Sequence, residues 1–303
     1  MIKIGEVIND TYIIEENICF GASGAVFKAY HIRLKKAVVI KQIRDELRYK
    51  INERREIDIL KNLKHSYIPQ VYDIFEYDGE LYSVIEYIVG TSLADELKKR
   101  KRFPQKRVIK WAIQLCEALS YLHSRSIPII HSDIKPDNIM LNIDDNICLI
   151  DFNVSLMFSN DISSLGYSEG YSSPEQASLF NLINRLNISE KLISSEDKAN
   201  NMNLQLLALN SGNPRKGVNT IKNKFKIDER ADIYSLGASL YHLMSGSKLK
   251  CNDIDLKALS HSHIKIDKGL CKIIEKATKT ELECRYQTSE EMLKDLKFLY
   301  NNI

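Results

Sequence analysis

The chain has 303 residues, of which 44% are hydrophobic and 27% are charged, and its formal net charge is +3. This hydrophobic fraction can supply a large buried core, which excludes disorder along the whole chain. The isoelectric point near 8.3 is below the value of about 9 that is typical of a dedicated nucleic-acid-binding domain, so no nucleic-acid partner is expected. The length is typical of about two domains or lobes.

The sequence contains no run of roughly 18 apolar residues, so no membrane span is predicted. Residues 1–11 mix charged and polar residues with isolated isoleucines and lack the apolar run of a signal peptide, so a cytoplasmic location is predicted. No two cysteines form a CxxC pair, which favours free thiols over disulfides or a metal site. The cysteines are Cys19, Cys116, Cys148, Cys251, Cys271 and Cys284.

The first ninety residues are dominated by short apolar runs with strand character. Two turn signals interrupt them, at Cys19–Gly24 and at Asp78-Gly79. A charged stretch, Arg48–Leu63, carries apolar residues at helical spacing and is predicted to form an amphipathic helix. The predicted strands are Tyr12–Asn17, Ala25–His31, Ala37–Ile43, Val71–Phe75 and Leu81–Tyr87.

From Thr91 onward the pattern becomes helical. Ser92 is a candidate N-cap, Gln105–Ser124 has one apolar stripe, and Ala231–Ser245 is a second helix that Gly246 ends. Residues 177–226 do not fit this plan, because they are rich in Asn, Ser and Lys and carry eight Lys or Arg against three Asp or Glu. A solvated loop is one interpretation of this insert, and a docking element for an acidic partner is the other.

The strongest chemical signal is the segment Ile130–Leu141, IHSDIKPDNIML, followed by LIDFN at residues 149–153. Asn138 and Asp151 offer the hard oxygen ligands that Mg²⁺ prefers. Asp133 can accept a hydroxyl proton, and Lys135 can neutralise charge on a phosphoryl group during its transfer. These residue types on adjoining loops predict phosphoryl-transfer chemistry.

HSDIKPDN resembles the catalytic-loop pattern HRDxKPxN of protein kinases, and DFN resembles their DFG motif. The chain is similar to the eukaryotic-type serine/threonine kinases found in bacteria. The resemblance implies an α+β, protein kinase-like fold with a small β-rich N-terminal lobe that contains one helix and a larger, mainly helical C-terminal lobe. The lobes would be residues 1–90, which bind ATP, and residues 91–303, which hold the catalytic and substrate-binding residues and the insert at about 177–226.

The resemblance also assigns the nucleotide site. ICFGASGAV at residues 18–26 resembles the glycine-rich loop, VVIK at residues 38–41 resembles the VAIK strand, and IEYI at residues 85–88 resembles the hinge. Lys41 would contact the phosphates and pair with Glu56 on the predicted helix. The implied ATP-binding residues are Gly21, Gly24, Val26, Val39, Lys41, Glu56, Glu86, Ile88 and Met140.

The implied activity is ATP-dependent transfer of the γ-phosphoryl group to Ser or Thr of a protein substrate, with autophosphorylation as a by-product. The implied catalytic residues are Asp133, Lys135, Asn138 and Asp151, and Asn138 with Asp151 would hold Mg²⁺, with Mn²⁺ as an alternative ion. On the substrate side, the resemblance implies that Ser168 bridges Asp133 and Lys135. It also implies that Glu175 forms an ion pair with Arg285 and that Asp232 anchors the backbone of the catalytic loop.

Three residues depart from the kinase pattern. Cys19 replaces a glycine of the glycine-rich loop, Ser132 replaces the arginine of HRD, and Asn153 replaces the glycine of DFG. Because that arginine normally binds a phosphorylated activation loop, we expect activity that does not depend on loop phosphorylation. Two other functions stay open at this point: a non-catalytic nucleotide-binding scaffold of the pseudokinase type, and a small-molecule phosphotransferase of related fold.

Overall fold

The computed structural model describes residues 2–21, 24–43, 60–151, 167–182, 227–249 and 266–303. The chain divides into two compact units. The N-terminal unit combines Met1–Thr91 with Met140–Ile150, and the C-terminal unit combines Ser92–Ile139 with Asp151–Ile303. A short later segment of the chain therefore returns to the unit that the first residues form.

The described part of the N-terminal unit is built from two sheets. A sheet of order β1-β2-β3-β4-β6-β5 has only antiparallel neighbours, and a smaller sheet has the order β7-β8-β9. The strands are β1 (Val7–Ile8), β2 (Tyr12–Gly21), β3 (Gly24–His31), β4 (Lys36–Ile43), β5 (Val71–Tyr77), β6 (Glu80–Glu86), β7 (Gly90–Ser92), β8 (Ile139–Asn142) and β9 (Ile147–Leu149).

One face of the larger sheet forms the core of this unit. In β4, Val38 and Ile40 are buried while Val39 and Lys41 between them are only partly buried, which is the period of two expected for a strand with one core face. Aromatic rings extend this core, because Phe75 stacks on Tyr12 with ring centroids 5.4 Å apart. The structure therefore selects one face of a strand in which Val38, Val39 and Ile40 are all apolar.

The two turn predictions have different outcomes. Asp78 and Gly79 both have positive φ angles, 51° and 75°, as a two-residue hairpin turn requires, and they join β5 to β6. The turn predicted from Cys19 starts too early, because Cys19 lies in β2 and pairs with Val26 of β3. The antiparallel ladder continues to the pair Gly21 and Gly24, since ladder hydrogen bonds outweigh the local turn preference of these residues.

Two helices of the C-terminal unit begin and end within one residue of the predicted positions, and the first begins at the predicted cap. Ser92 caps the first helix through its Oγ, which accepts a hydrogen bond from the Asp95 N–H at 3.0 Å. Gly246 ends the third helix in the left-handed conformation, with a φ angle of 76°. The helices are α1 (Leu93–Lys99), α2 (Gln105–His123), α3 (Arg230–Ser245), α4 (Lys268–Ala277) and α5 (Ser289–Asn301), and residues 174–182 are also helical.

Helix α3 forms the centre of the C-terminal unit. Every residue from Ala231 to Leu240 is buried, which is expected of a helix that is covered on all sides. A Cβ added at Gly237 would lie 2.8 Å from the side chains of both Ala277 and Thr278, so α3 and the end of α4 approach closely at this glycine. The polar side chains in this stretch, such as Asp232, are therefore buried and need hydrogen-bond partners inside the protein.

Several sequence predictions fall outside the described residues. Residues 48–59 of the predicted helix Arg48–Leu63 are outside the described residues, and so are residues 183–226 of the insert. Among the helices that the structure describes, each is too short or too polar to cross a lipid bilayer. The described cysteines are free thiols, and burial raises the pKa of Cys148 to about 12.

Candidate active site

The catalytic loop, residues 129–138, runs from α2 to β8. Ile129 and Ile134 in the loop, and Ile139 directly after it, have no exposed surface. The loop ends in one turn of 3₁₀ helix, Pro136–Asn138. Burial of the isoleucines fixes the path of the loop and leaves the polar side chains between them to meet one another.

Asp133 is the centre of a hydrogen-bond network. Its Oδ1 accepts a hydrogen bond from the Ser168 Oγ at 2.7 Å, and its Oδ2 accepts one from the Lys135 Nζ at 2.7 Å. The Lys135 Nζ also donates to the Ser168 Oγ at 2.8 Å. Ser168 therefore bridges Asp133 and Lys135, as the sequence predicts, and the orientation of the carboxylate is fixed by charge-assisted hydrogen bonds.

Asn138 joins the same network through its amide nitrogen. Nδ2 donates to the backbone carbonyl of Asp133 at 2.8 Å and to the Asp133 Oδ2 at 3.0 Å. These two bonds orient the amide, so its oxygen points away from Asp133. The structure therefore brings Asp133, Lys135 and Asn138 together, with the amide oxygen of Asn138 receiving no hydrogen bond from any described residue.

The backbone of the loop is anchored by a buried carboxylate at the start of α3. The carboxylate of Asp232 accepts hydrogen bonds from the His131 N–H at 2.8 Å and from the Ser132 N–H at 2.7 Å. Asp232 has no exposed surface. This geometry confirms the predicted anchor, because hydrogen bonds to an ionised acceptor satisfy two buried N–H groups at once.

His123 is a second support that sequence reasoning missed. Its Nε2 lies 2.9 Å from the Asp232 Oδ2, and its Nδ1 lies 2.9 Å from the Ser289 Oγ. Since a carboxylate only accepts hydrogen bonds, Nε2 carries the proton in this pair. No local pattern marks His123, because it follows the apolar stripe of α2 and its partner lies 109 residues away.

Ser132, which precedes Asp133, has a left-handed backbone with a φ angle of 64°. That conformation costs a residue other than glycine about 1–2 kcal/mol. Its carbonyl accepts a hydrogen bond from the Gln176 Nε2 at 2.8 Å, across 44 residues of sequence. Gln176 was also missed, although a glutamine directly after the Pro-Glu pair was visible in the sequence.

The Pro-Glu segment is fixed by the predicted ion pair. Glu175 accepts two hydrogen bonds from the Arg285 guanidinium, at 2.7 and 2.8 Å. The Arg285 side chain has no exposed surface, and it also donates to the carbonyl of Lys279 at 2.6 Å. A buried guanidinium needs such complete pairing, since the desolvation of an unpaired charge is costly.

In the N-terminal unit, strand register places predicted nucleotide-binding residues on one sheet face. Val26 pairs with Lys41, and Val39 lies two residues before Lys41 on the same strand. Val39 in turn pairs with Ile85 of β6. Because side chains alternate between faces, Val26, Val39 and Lys41 all lie on the face opposite the core.

Gly24 begins β3 in a conformation that other residues avoid, with a φ angle of 98°. A Cβ added there would lie 2.9 Å from the backbone carbonyl oxygen of Gln42. Both facts require glycine at this position, where β3 passes close to β4. Its ladder partner at the end of the hairpin is Gly21.

The residues predicted to form the hinge lie at the end of β6 and directly after it. The Glu86 N–H donates to the Gln70 carbonyl at 2.9 Å. The backbone group that Glu86 could offer to a purine is therefore its carbonyl, which narrows the prediction made from the sequence. Ile88 lies beyond the strand and is partly buried, and Met140 lies in β8.

The remaining predicted residues are described only in part. Glu56 and Asn153 lie outside the described residues, and Asp151 belongs to the C-terminal unit and has a φ angle of 63°. Within the described ranges, no three His, Cys, Asp or Glu side chains are grouped to hold a metal ion. An amide oxygen from Asn138 and a carboxylate from Asp151 still fit Mg²⁺, which is bound by one or two protein oxygens together with water and substrate phosphates.

Similarity to known proteins agrees with this chemistry. A model of the protein kinase domain matches residues 12–185. The probable serine/threonine-protein kinase YbdM of Bacillus subtilis is 36% identical over 159 residues, which cover 51% of this chain and 61% of YbdM. The serine/threonine-protein kinase PknB of Mycobacterium tuberculosis is 27% identical over 320 residues, which cover 97% of this chain and 44% of PknB. The chain thus spans only part of the length of both relatives.

The fold also matches a solved kinase domain. The crystal structure of the Mycobacterium tuberculosis PknI kinase domain superposes with a TM-score of 0.65 at 19% identity, covering 98% of this chain and 99% of that domain. The α+β, protein kinase-like fold expected from the sequence is therefore confirmed. With its family match over more than half of its length, the chain belongs to the protein kinase domain family.

Proposed function

We propose that this chain is an ATP-dependent protein kinase that transfers the γ-phosphoryl group to Ser or Thr of protein substrates and to its own residues. The observation that carries the proposal is the Asp133–Lys135–Asn138–Ser168 network. It joins an oriented carboxylate to an ammonium group and an amide, which are the groups that phosphoryl transfer requires. The names of YbdM and PknB support the choice of Ser and Thr as acceptors.

In the proposed mechanism, Asp133 orients the acceptor hydroxyl and takes its proton. Described residues donate three hydrogen bonds to its two carboxylate oxygens. Because a carboxylate offers about four acceptor positions, one stays available for the substrate hydroxyl. Lys135, which is held by Asp133 and Ser168, neutralises charge on the transferring group. Catalysis would depend mainly on placement and charge neutralisation.

The nucleotide would be bound mainly by residues of the first lobe, residues 1–90, and the acceptor by residues 91–303. Lys41 would contact the phosphates and pair with Glu56, and Val26, Val39 and Met140 would pack on the purine. Gly21 and Gly24 would let the backbone approach the phosphates, and Glu86 and Ile88 would offer backbone groups to the base. Asn138 and Asp151 would hold Mg²⁺, which supplies positive charge to the phosphates when it is bound.

The test is incubation of the purified chain with Mg²⁺ and γ-labelled ATP, followed by mapping of phosphorylated residues. We expect labelled Ser or Thr in the wild type and a loss of about 100-fold or more in Asp133→Asn, because proton transfer and acceptor orientation are removed. Asp144→Asn is the matched control, since Asp144 is exposed in the turn after β8 and lies outside the network. It should keep wild-type activity.

The alternatives give different outcomes in the same experiment. ATP binding without transfer by the wild type would contradict the proposal and indicate a pseudokinase scaffold. Transfer to a small molecule and not to protein would indicate a phosphotransferase of related fold. Substituting Mn²⁺ for Mg²⁺ then identifies which ion supports the faster transfer.

The basic insert is the element for which we propose an acidic docking partner, on the charge of residues 177–226 alone. Deletion of about residues 187–220 should leave phosphorylation of a short peptide intact and slow that of a native substrate. Equal loss with both substrates would instead assign the insert a structural role. The cytoplasmic location stays a prediction.

A further inference from the structure

Both backbone polar groups of Ser132 are held by side chains from distant parts of the sequence. Its N–H donates to the Asp232 Oδ1 at 2.7 Å, and its carbonyl accepts from the Gln176 Nε2 at 2.8 Å. Ser132 is completely buried and has the left-handed conformation already described. A strained residue persists only where its surroundings fix it, so these two bonds hold the residue immediately before Asp133 in place.

Gln176 is itself fixed by its other end. Its Oε1 accepts hydrogen bonds from the Ser173 N–H at 3.0 Å and from the Ser173 Oγ at 3.1 Å. Only 2% of its surface is exposed. The amide is therefore a buried clamp with two halves: an acceptor half on its own segment and a donor half on the catalytic loop.

Residues 168–176 thus contact the catalytic loop at two points. Ser168, at one end, donates to the carboxylate of Asp133. Gln176, at the other end, donates to the backbone carbonyl of Ser132, which directly precedes Asp133. The first contact orients the side chain of Asp133, and the second fixes the backbone from which that side chain projects. Loss of the second would leave a buried carbonyl without its partner and release the strained residue.

We propose that Gln176 is a positioning residue for phosphoryl transfer, which holds Asp133 in its productive place through the carbonyl of Ser132. This inference rests on the proposed function. Gln176 would act through the backbone of the catalytic loop and not by contact with the acceptor. The residue directly after the Pro-Glu pair would thus support the catalytic loop, while Glu175 forms the ion pair with Arg285.

The first test separates the two halves of the clamp. Gln176→Glu keeps the acceptor for Ser173 and replaces the donor by a carboxylate, which repels the Ser132 carbonyl when ionised and donates to it when protonated. Gln176→Met is the matched control of similar length, which can do neither at any pH. We expect kcat of Gln176→Glu, relative to the wild type at the same pH, to be at least tenfold lower at pH 8.5 and within about threefold at pH 6.

Gln176→Met should be at least tenfold slower at both pH values, while the KM for ATP of both variants changes less than threefold. Melting temperatures show that the compared samples are folded. A kcat within twofold of the wild type for both variants at both pH values would overturn the proposal, and so would a Glu variant that stays as slow at pH 6 as the Met variant.

A second measurement does not depend on activity. Amide hydrogen exchange of the peptide that covers residues 129–138 should be at least tenfold faster in Gln176→Met than in the wild type, while exchange in α2 is unchanged. Unchanged exchange in the loop would overturn the clamp. If the wild type transfers no phosphoryl group but the loop exchange rises as expected, the proposed function fails and the clamp survives as a structural device without its catalytic role.

Discussion

The β3–β4 hairpin and the catalytic loop place their polar residues by different physical means. In the hairpin, ladder hydrogen bonds set the register, and the alternation of the strands then puts Val26 and Lys41 opposite each other on one face. In the loop, side chains bond directly to the backbone. Asp232 and Gln176 reach Ser132 from positions 100 and 44 residues away.

This difference predicts how the two regions respond to substitution. A strand has many equivalent backbone bonds, so one altered side chain on its exposed face leaves the others in place. The loop depends on a few buried side chains, and each loss leaves a backbone group without a partner. Substitutions at loop anchors should therefore damage both stability and activity, whereas substitutions in the hairpin should separate the two.

The largest effect is expected for Asp232→Asn. The amide cannot accept at both positions, so a buried N–H of the loop loses its charged partner, and we expect a loss of about 4 kcal/mol in the free energy of unfolding. Activity of the folded fraction should fall by about 100-fold, because Asp133 shifts. Urea unfolding and kcat/KM measure the two losses.

Asp228→Asn is the control for this prediction. Asp228 pairs with Arg230 two residues later, and about a third of its side chain is exposed. This change should cost less than about 1 kcal/mol. Equal losses of unfolding free energy in the two variants would contradict the role of the Asp232 carboxylate as the anchor of the loop backbone.

Glu175→Gln should have the next largest effect. It leaves the fully buried Arg285 without its charge partner, and we expect a loss of about 3 kcal/mol because the carbonyls around the guanidinium remain. The matched control is Glu275→Gln, which breaks the exposed pair with Lys279 and should cost about 0.5 kcal/mol. Urea midpoints at constant m-value test the difference, and similar midpoints would contradict it.

A pair of adjacent valines tests the hairpin. Val38 lies in the core, and Val39 lies on the opposite face. Val38→Ala should lower the free energy of unfolding by about 2 kcal/mol and leave the KM for ATP unchanged. Val39→Ala should cost about 0.5 kcal/mol or less and raise the KM for ATP about threefold or more, because the purine loses a contact. A rise in the KM for ATP in Val38→Ala and not in Val39→Ala would contradict the placement of the nucleotide on the face that carries Val39.

The smallest effect is a pH dependence of stability from one histidine in each unit, the buried His31 and the partly buried His242. Burial lowers the pKa of His242, with a further contribution from Lys248, and the His242 Nδ1 lies 2.6 Å from the hydroxyl of Tyr171. Burial also lowers the pKa of His31, which packs against Tyr12. The unfolded chain binds these protons near pH 6.5 and the folded chain only at lower pH, so stability falls as the pH drops through 6.5.

Urea unfolding at pH 7.5 and pH 5.5 measures this loss. His242→Gln and His31→Gln should each make stability less dependent on pH, by about 0.5 kcal/mol over this interval. If the free energy of unfolding changes with pH as much in both variants as in the wild type, the assignment of the pKa shifts to these residues is contradicted.

Much of the N-terminal unit could be predicted from the sequence. The apolar runs predicted strands that the structure contains, and Asp78-Gly79 predicted the turn between β5 and β6. The buried face of β4 could not be predicted, because Val38, Val39 and Ile40 are all apolar. The extension of β2 through Cys19 could not be predicted, because a turn preference is local whereas pairing with Val26 depends on the neighbouring strand. The same limit applies to Glu86, whose N–H is taken up by Gln70.

The order of polar residues in IHSDIKPDN was enough to predict which groups would act on a phosphoryl group, because their chemistry belongs to the side chains themselves. Only the tertiary structure revealed two further supports of the catalytic loop. His123 and Gln176 are ordinary polar residues until the fold brings His123 to the carboxylate of Asp232 and Gln176 to the carbonyl of Ser132. Hydrogen bonds formed across such distances leave no periodicity in the sequence, since each depends on where two remote segments meet.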